Sequence, residues 1–300
     1  MLEEEFHMTW QAEGTKVGFI GIGVMGKSMA GHIAKAGAEL HIYTRTAEKA
    51  QALVDDGAVW HDTPGKLAAA CDVVITMVGF PKDVEDIYLG EDGIIANARE
   101  GAVLIDMTTS SPLLAEKIYE AAKAKGQSAL DAPVSGGDVG ARNAALSIMV
   151  GADQQDYDNV LPLLQLMGKN IVLQGKPGAG QHTKMCNQIA IASGMMGVCE
   201  ALAYAESAGL DPKTVLGSIE SGAAGSWSLS NLGPRIINGD FEPGFYVKHF
   251  IKDMGIALES AREMGMDTPG LALAHSLYKR LSEQGYEDKG TQALFKIYRP

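Results

Sequence analysis

Apolar positions fall into two regimes along this chain. Up to about residue 175, short continuous apolar runs alternate with stretches of helical period; beyond it only helical periodicity remains. The runs KVGFI (16–20), ELHIY (39–43), VVITM (73–77) and VLID (103–106) are predominantly apolar, and the last two read as strands buried on both faces. Further strands are expected over 129–131, 146–150 and 171–173. Helical patterns fill 27–36, 81–89, 112–125 and 153–167, the third opened by Ser111 at the N-cap and Pro112 at the first helical position. Strand and helix alternating at this spacing predict an α/β fold, a Rossmann-type doubly wound parallel sheet. The second regime predicts an all-α C-terminal domain. Its helices cover 180–209, a segment opened by Asp211-Pro212, then 226–237, 247–264 and 268–282. The first is a long interdomain helix. At about 1.5 Å per residue it spans roughly 45 Å, more than one small domain needs.

Composition narrows the class. Of 300 residues, 46% are apolar and 21% charged, enough apolar chain for a sizeable core. The net charge of −12, without a basic cluster, argues against a nucleic-acid partner. No continuous apolar run approaches a membrane span, so no membrane association is expected. The start, MLEEEFHMTWQAEG, is acidic and lacks the apolar core of a signal peptide; residues 1–14 read as a mobile N-terminal extension. Cys71, Cys186 and Cys199 have no paired spacing and no metal-ligand company, which suits a reducing cytoplasm and no metal site.

Chemistry enters at Gly21-Ile22-Gly23-Val24-Met25-Gly26, a G-x-G-x-x-G between the first strand and the first helix. The first glycine permits the tight turn, the second lets a pyrophosphate approach the backbone, and the third lets helix pack on strand. Alone this pattern is weak; between a strand and a helix it is specific. About 20 residues on, an NAD site places Asp or Glu on the ribose 2′-hydroxyl. Here the second strand ends in Thr44-Arg45-Thr46, with a guanidinium and no carboxylate. NADP(H) is therefore favoured. The alternative is that Arg45 only stacks on adenine and NAD(H) binds as well. The loop after 103–106 carries Thr109, a candidate for the nicotinamide ribose or a plain helix-entry cap. Asp131-Ala132-Pro133-Val134 leads to Ser135, Gly136 and Gly137, whose successive N–H groups suit a carboxylate. The break GKPGAG at 175–180 sets the domain boundary: 15–177 binds the dinucleotide, and 178–300 supplies the helical substrate and dimerisation domain. At the start of the long helix Lys184, Asn187 and Gln188 stand at i, i+3 and i+4, on one face. By themselves they are as well explained as a solvated helix entry.

Four blocks together resemble the β-hydroxyacid dehydrogenase family: GFIGIGVMGKSMAGHIAKAG at 18–37, DAPVSGG at 131–137, GAGQHTKMCNQ at 178–188 and KDMGIA at 252–257. They stand in the family's order over nearly the whole chain from residue 16. The resemblance implies Lys184 as the catalytic lysine and Asn187 as the substrate-orienting amide. It places Ser135, Gly136 and Gly137 at the substrate carboxylate, and Gln188 where some relatives have a second asparagine. Thr109 and Lys252 fall on cofactor-contacting positions, and Thr44 stands where NAD-using members have Asp. A homodimer or homotetramer is expected, through a helical domain whose long helix carries the small residues Gly194, Gly197 and Ala201.

The chemistry then follows from residue types. A nicotinamide carries the hydride, and the protein must place the substrate and move a proton at oxygen. The ammonium of Lys184 suits that task toward a small aldehyde or alcohol bearing a carboxylate. His182 is off the Lys184 face, and neither it nor His249 is expected to be essential. Trp227, Phe245, Tyr246 and Phe250 read as core residues or as walls of the substrate's tail pocket. Two other readings are an imine reductase and a non-catalytic dinucleotide sensor. By the resemblance both lack a lysine at position 184.

Overall fold

The structure, a computed structural model, describes residues 10–299. Residues 1–9 of the expected extension lie outside the described residues. From Trp10 onward the chain is tied down: the Trp10 N–H donates to Asn159 O at 3.1 Å, and its ring packs on the sheet's apolar core. The chain divides into two compact units, Met1–Lys184 and Met185–Pro300. The division falls inside the long helix, beyond the 175–180 break.

The first unit alternates strand and helix. Its elements run β1 (Lys16–Ile20), α1 (Val24–Lys35), β2 (Glu39–Tyr43), α2 (Gln51–Asp55), β3 (Val59–Trp60), α3 (Pro64–Ala70) and β4 (Val73–Thr76). Then come α4 (Pro81–Leu89), α5 (Ile94–Asn97), β5 (Val103–Asp106), α6 (Pro112–Lys123) and β6 (Ser128–Asp131). The unit ends with β7 (Val134–Ser135), α7 (Gly137–Arg142), β8 (Leu146–Gly151), α8 (Gln154–Leu164) and β9 (Gly168–Gly175). Strand order is β3-β2-β1-β4-β5-β6-β8-β7, with β9 on β8. Every pairing from β3 to β6 is parallel. The sheet departs from a purely parallel one beyond β6. There the chain turns through β7 and α7 and runs back as β8, antiparallel to both β6 and β7.

Alternation along the central strands explains the double winding. Val17, Phe19, Val73, Ile75 and Ile105 face one apolar cluster with Met29 and Ile33 of α1. Ile20, Val74 and Leu104 face the other, with Leu67 of α3, Val84 of α4 and Ile118 of α6. Helix starts follow capping chemistry. Thr63 accepts from the Lys66 N–H ahead of α3, and Asp83 accepts from the Phe80 N–H at the start of α4. Beyond Ser135 the chain enters α7. Gly136 (φ +126°) and Gly137 (φ +61°) make the sharp entry, and Asp138 pairs with Arg142 one turn on at 2.6 Å.

The second unit is helical. It takes in most of α9 (Ala179–Ser207), then α10 (Pro212–Ile219), α11 (Trp227–Ile237), α12 (Val247–Glu263) and α13 (Pro269–Leu281). Asp211 caps α10 by accepting from the Lys213 and Thr214 N–H groups ahead of Pro212's turn. By length and composition alone α9 would also suffice to cross a membrane. Its Ala192, Met195, Cys199 and Leu202, at most 1% exposed, belong to this unit's core with Phe250, Met254 and Tyr278.

Candidate active site

The dinucleotide motif is built as its chemistry requires. Gly21 sits at φ +101°, and a Cβ there would strike the backbone oxygen of Met77. A Cβ on Gly26 would strike the oxygen of Gly21, so the third glycine seats α1 on the turn. Gly23 differs. It has φ −88°, and a Cβ on it would meet no protein atom within 4 Å. Nothing in the protein's own packing therefore demands glycine there, whereas a pyrophosphate lying against the backbone would. No side chain caps α1 and its first turn holds no acid, so its leading N–H groups are left for an anion. Ile22, 1% exposed, anchors in the core and Met25 packs partly against it, while Val24 is exposed. These three are not among the residues that line the cleft beside the turn.

A cleft of about 330 Å³ opens beside this turn, a size in the range of small-molecule sites. Gly21, Gly23, Thr44, Arg45 and the Met77–Gly79 loop line it, and so do Asp83 and Asp86 of α4. Arg45 donates from Nη1 to Asp83 Oδ1 at 3.0 Å. Thr46, exposed and heading a short 3-10 turn, is not among the lining residues. These residues fit a nicotinamide dinucleotide. The sequence reading missed Asp83, a residue legible only as part of the α4 cap.

At the carboxyl ends of β5 and β6 a buried polar framework holds the start of α9. Asp131, 2% exposed, accepts from the Gly178 N–H at 2.6 Å and the Gln181 N–H at 2.7 Å. It thereby satisfies two of the orphan donors at a helix start. Gln181, fully buried, donates to Thr108 O at 2.7 Å and accepts from the Ser110 N–H at 2.9 Å. It thus clamps both neighbours of Thr109, which is half-buried. Behind the clamp, Asp106 accepts from Thr76 Oγ1 at 2.7 Å and from the Thr108 N–H at 3.0 Å. Neither Asp131 nor Gln181 was picked from sequence. An acid closing a buried strand and a glutamine one turn before a candidate lysine were the only signals.

One turn beyond Gln181, Lys184 is 7% exposed and donates from Nζ to Val134 O at 2.9 Å. The ammonium is thus brought to the residue next to Ser135, at the head of the Gly136-Gly137 turn. Lys184 and Val134, 50 residues apart in sequence, thus meet within the first unit. In the second unit Asn187 donates to Gln188 Oε1 at 2.7 Å, and Gln188 Nε2 donates to Asp253 Oδ2 at 2.6 Å. Lys252 pairs with Asp253 Oδ1 at 2.8 Å. Gln188 is 1% exposed with both amide ends engaged. Held between Asn187 and Asp253, it braces the Asn187 amide. Asp253 was missed, although it stands within KDMGIA. Phe250 is core, edge-on to Tyr278 at 5.0 Å and tilted against Phe245 at 5.6 Å, whereas Trp227 is 68% exposed. Burial holds His249 below the usual imidazole range, with Lys252 adding to the effect. Among the described residues no cluster of three His, Cys, Asp or Glu suits a metal.

Burial pushes the Asp131 carboxyl up to about 7 from 3.8, against the downward pull of the two N–H donors and with a smaller push from Asp106. A folded pKa above the unfolded one means the folded state holds the extra proton. Stability from this group is therefore fully present below about pH 4, falls as pH rises toward 7, and is level above that. Asp131→Asn should remove this slope. Denaturant midpoints compared at pH 5 and pH 8 should show the parent losing on the order of 1–3 kcal/mol relative to the variant. Parallel behaviour at both pH values would contradict it.

Two family models match in sequence order. Residues 16–175 match the NAD binding domain of 6-phosphogluconate dehydrogenase. Residues 178–298 match the NAD-binding domain of NADP-dependent 3-hydroxyisobutyrate dehydrogenase. An uncharacterized oxidoreductase of Bacillus subtilis, YkwC, is 62% identical over 94% of this chain and 98% of its own length. A probable 3-hydroxyisobutyrate dehydrogenase-like protein of Arabidopsis thaliana is 51% identical over 93% of this chain and 84% of its own. The solved structure of Mycobacterium tuberculosis 3-hydroxyisobutyrate dehydrogenase with L-serine superposes with a TM-score of 0.88 at 29% identity, covering 95% of this chain and 99% of that one. By these matches the chain belongs to the β-hydroxyacid dehydrogenase family, NAD(P)-dependent oxidoreductases acting on CH–OH groups.

Proposed function

We propose that this protein interconverts a small β-hydroxyacid and its semialdehyde, preferring NADP(H), with Lys184 as the general acid and base. The observation that carries this reading is the buried Lys184 ammonium bonded at Val134, beside Ser135. The bound nicotinamide supplies or accepts the hydride. In reduction, Lys184 donates a hydrogen bond to the carbonyl oxygen and then its proton, as the carbonyl carbon gains the hydride. In oxidation the neutral amine takes the hydroxyl proton back. Ser135 and the N–H groups of Gly136 and Gly137 hold the substrate carboxylate. Asn187, braced by Gln188 and Asp253, orients the reacting oxygen or Lys184 itself. Thr109 and Lys252 contact the cofactor. The NADP(H) preference rests on Thr44 and Arg45 at the end of β2, where no carboxylate stands.

A panel of glyoxylate and succinic, methylmalonate and tartronate semialdehydes with NADPH and NADH tests the reading. Oxidation of NADPH by at least one, faster than of NADH, is expected. Cofactor binding without turnover of any would make the chain a dinucleotide sensor. We further propose a cytoplasmic homodimer or homotetramer with no nucleic-acid or membrane partner. On α9 a Cβ at Gly194 or Gly197 would meet nothing within 4 Å, and Tyr204 on that helix is 75% exposed. Light scattering at micromolar concentration reads the assembly directly.

A further inference from the structure

The mouth of the dinucleotide cleft holds an ion pair that its motif does not call for. Arg45 is the one cation among the described residues lining the cleft, and its side chain is 76% exposed. Its partner Asp83 is 20% exposed and fixed from behind: Oδ2 accepts from the Phe80 N–H at 3.1 Å, where Pro81 starts α4. The pair therefore has a rigid carboxylate and a long, adaptable guanidinium. The second lining carboxylate, Asp86, pairs with Lys82 at 2.9 Å. With both acids paired, the mouth is near neutral. A ribose 2′-phosphate carries about −1.5 to −2 at pH 7 and needs a net positive seat. One guanidinium offers five N–H donors in a fork, so Arg45 can hold Asp83 and still face a phosphate. The carboxylate's charge, however, opposes any phosphate drawn to that arm.

We propose that Asp83 is a specificity-determining residue, holding Arg45 in an ion pair that weakens the cleft's hold on a 2′-phosphate and so keeps NAD(H) usable beside NADP(H). This rests on Arg45 being the reader of the 2′ position. Asp83→Asn should free Arg45 while keeping α4 intact, because the amide oxygen still accepts from Phe80. Titration calorimetry with 2′,5′-ADP and 5′-AMP reads the site without catalysis. The ratio of their affinities should rise at least five-fold in Asp83→Asn at an unchanged melting temperature, and the NADPH-to-NADH ratio of kcat/KM should rise with it. Arg45→Ala should lower the affinity ratio at least ten-fold, and in that background Asp83→Asn should gain little. If Arg45→Ala leaves the ratio unchanged, the 2′-phosphate reading of Arg45 fails and the proposal falls with it. If Arg45→Ala collapses the ratio but Asp83→Asn leaves it level or lowers it, only the role of Asp83 is overturned. A full gain in the Arg45→Ala background would likewise overturn the route through Arg45.

Discussion

Lys184→Met should lower turnover by about three orders of magnitude or more while dinucleotide binding holds. A positioned general acid contributes about 10²–10⁴-fold, and a donor aimed at a developing oxyanion about 10²–10³-fold. In the proposed mechanism one ammonium serves both ends, so its loss is not the product of the two. The methionine fills the space of the lysine stem, leaving Val134 O without its donor, a cost of about 1–3 kcal/mol. Removing a buried charge offsets part of that, so the variant should fold. Lys184→Arg should fail nearly as badly, because a guanidinium does not release its proton. Steady-state turnover beside a fluorescence titration of NADPH separates the effects. Turnover within a few-fold of the parent, in either variant, rejects the proton-transfer role.

Gly23→Val should abolish dinucleotide binding, by about 100-fold or more, with little change in melting temperature. The backbone at 23 is in a region open to any residue (φ −88°, ψ −162°), and its Cβ position is free of protein atoms. The branched side chain therefore costs the fold almost nothing and occupies the pyrophosphate's approach. Gly26→Val should do the reverse first. Its Cβ runs into the oxygen of Gly21, so α1 must shift and stability falls by on the order of 1–3 kcal/mol. Calorimetric unfolding and NADPH titration on both variants test the contrast. Equal thermal losses would show that Gly23 is a packing residue and not a ligand-facing one.

Much of this molecule was legible beforehand for one reason: strands β1, β2 and β5 are buried along most of their length, so apolar residues dominate their runs. Their bounds match the sequence expectation residue for residue. The Pro-initiated helices were equally plain, because Pro81, Pro112 and Pro212 mark first turns. Two-residue strands such as β3 and β7 were invisible, being too short for any period. The return of β8 antiparallel to β6 was hidden too, since pairing direction leaves no mark on an apolar run. At the site, Lys184 and Ser135 were legible as motif members. The bond from Lys184 to the backbone of Val134, next to Ser135, was not, since no side-chain pattern encodes it. Asp131, Gln181 and Asp253 escaped for a related reason. A polar residue that serves backbone groups or neighbouring amides looks, in sequence, like any surface residue.

Gly180 has a consequence for changing what this enzyme accepts. A Cβ there would run into Met149 O and come within 2.8 Å of both Asp131 O and Asp131 Oδ2. A single added methyl would lift the first turn of α9 off the strands, and Lys184, four residues later on the same helix, would ride with it. The lever arm of the proposed proton donor is thus set where a side chain is missing. Libraries seeking new substrates should leave that fulcrum alone and spend their diversity farther along the chain.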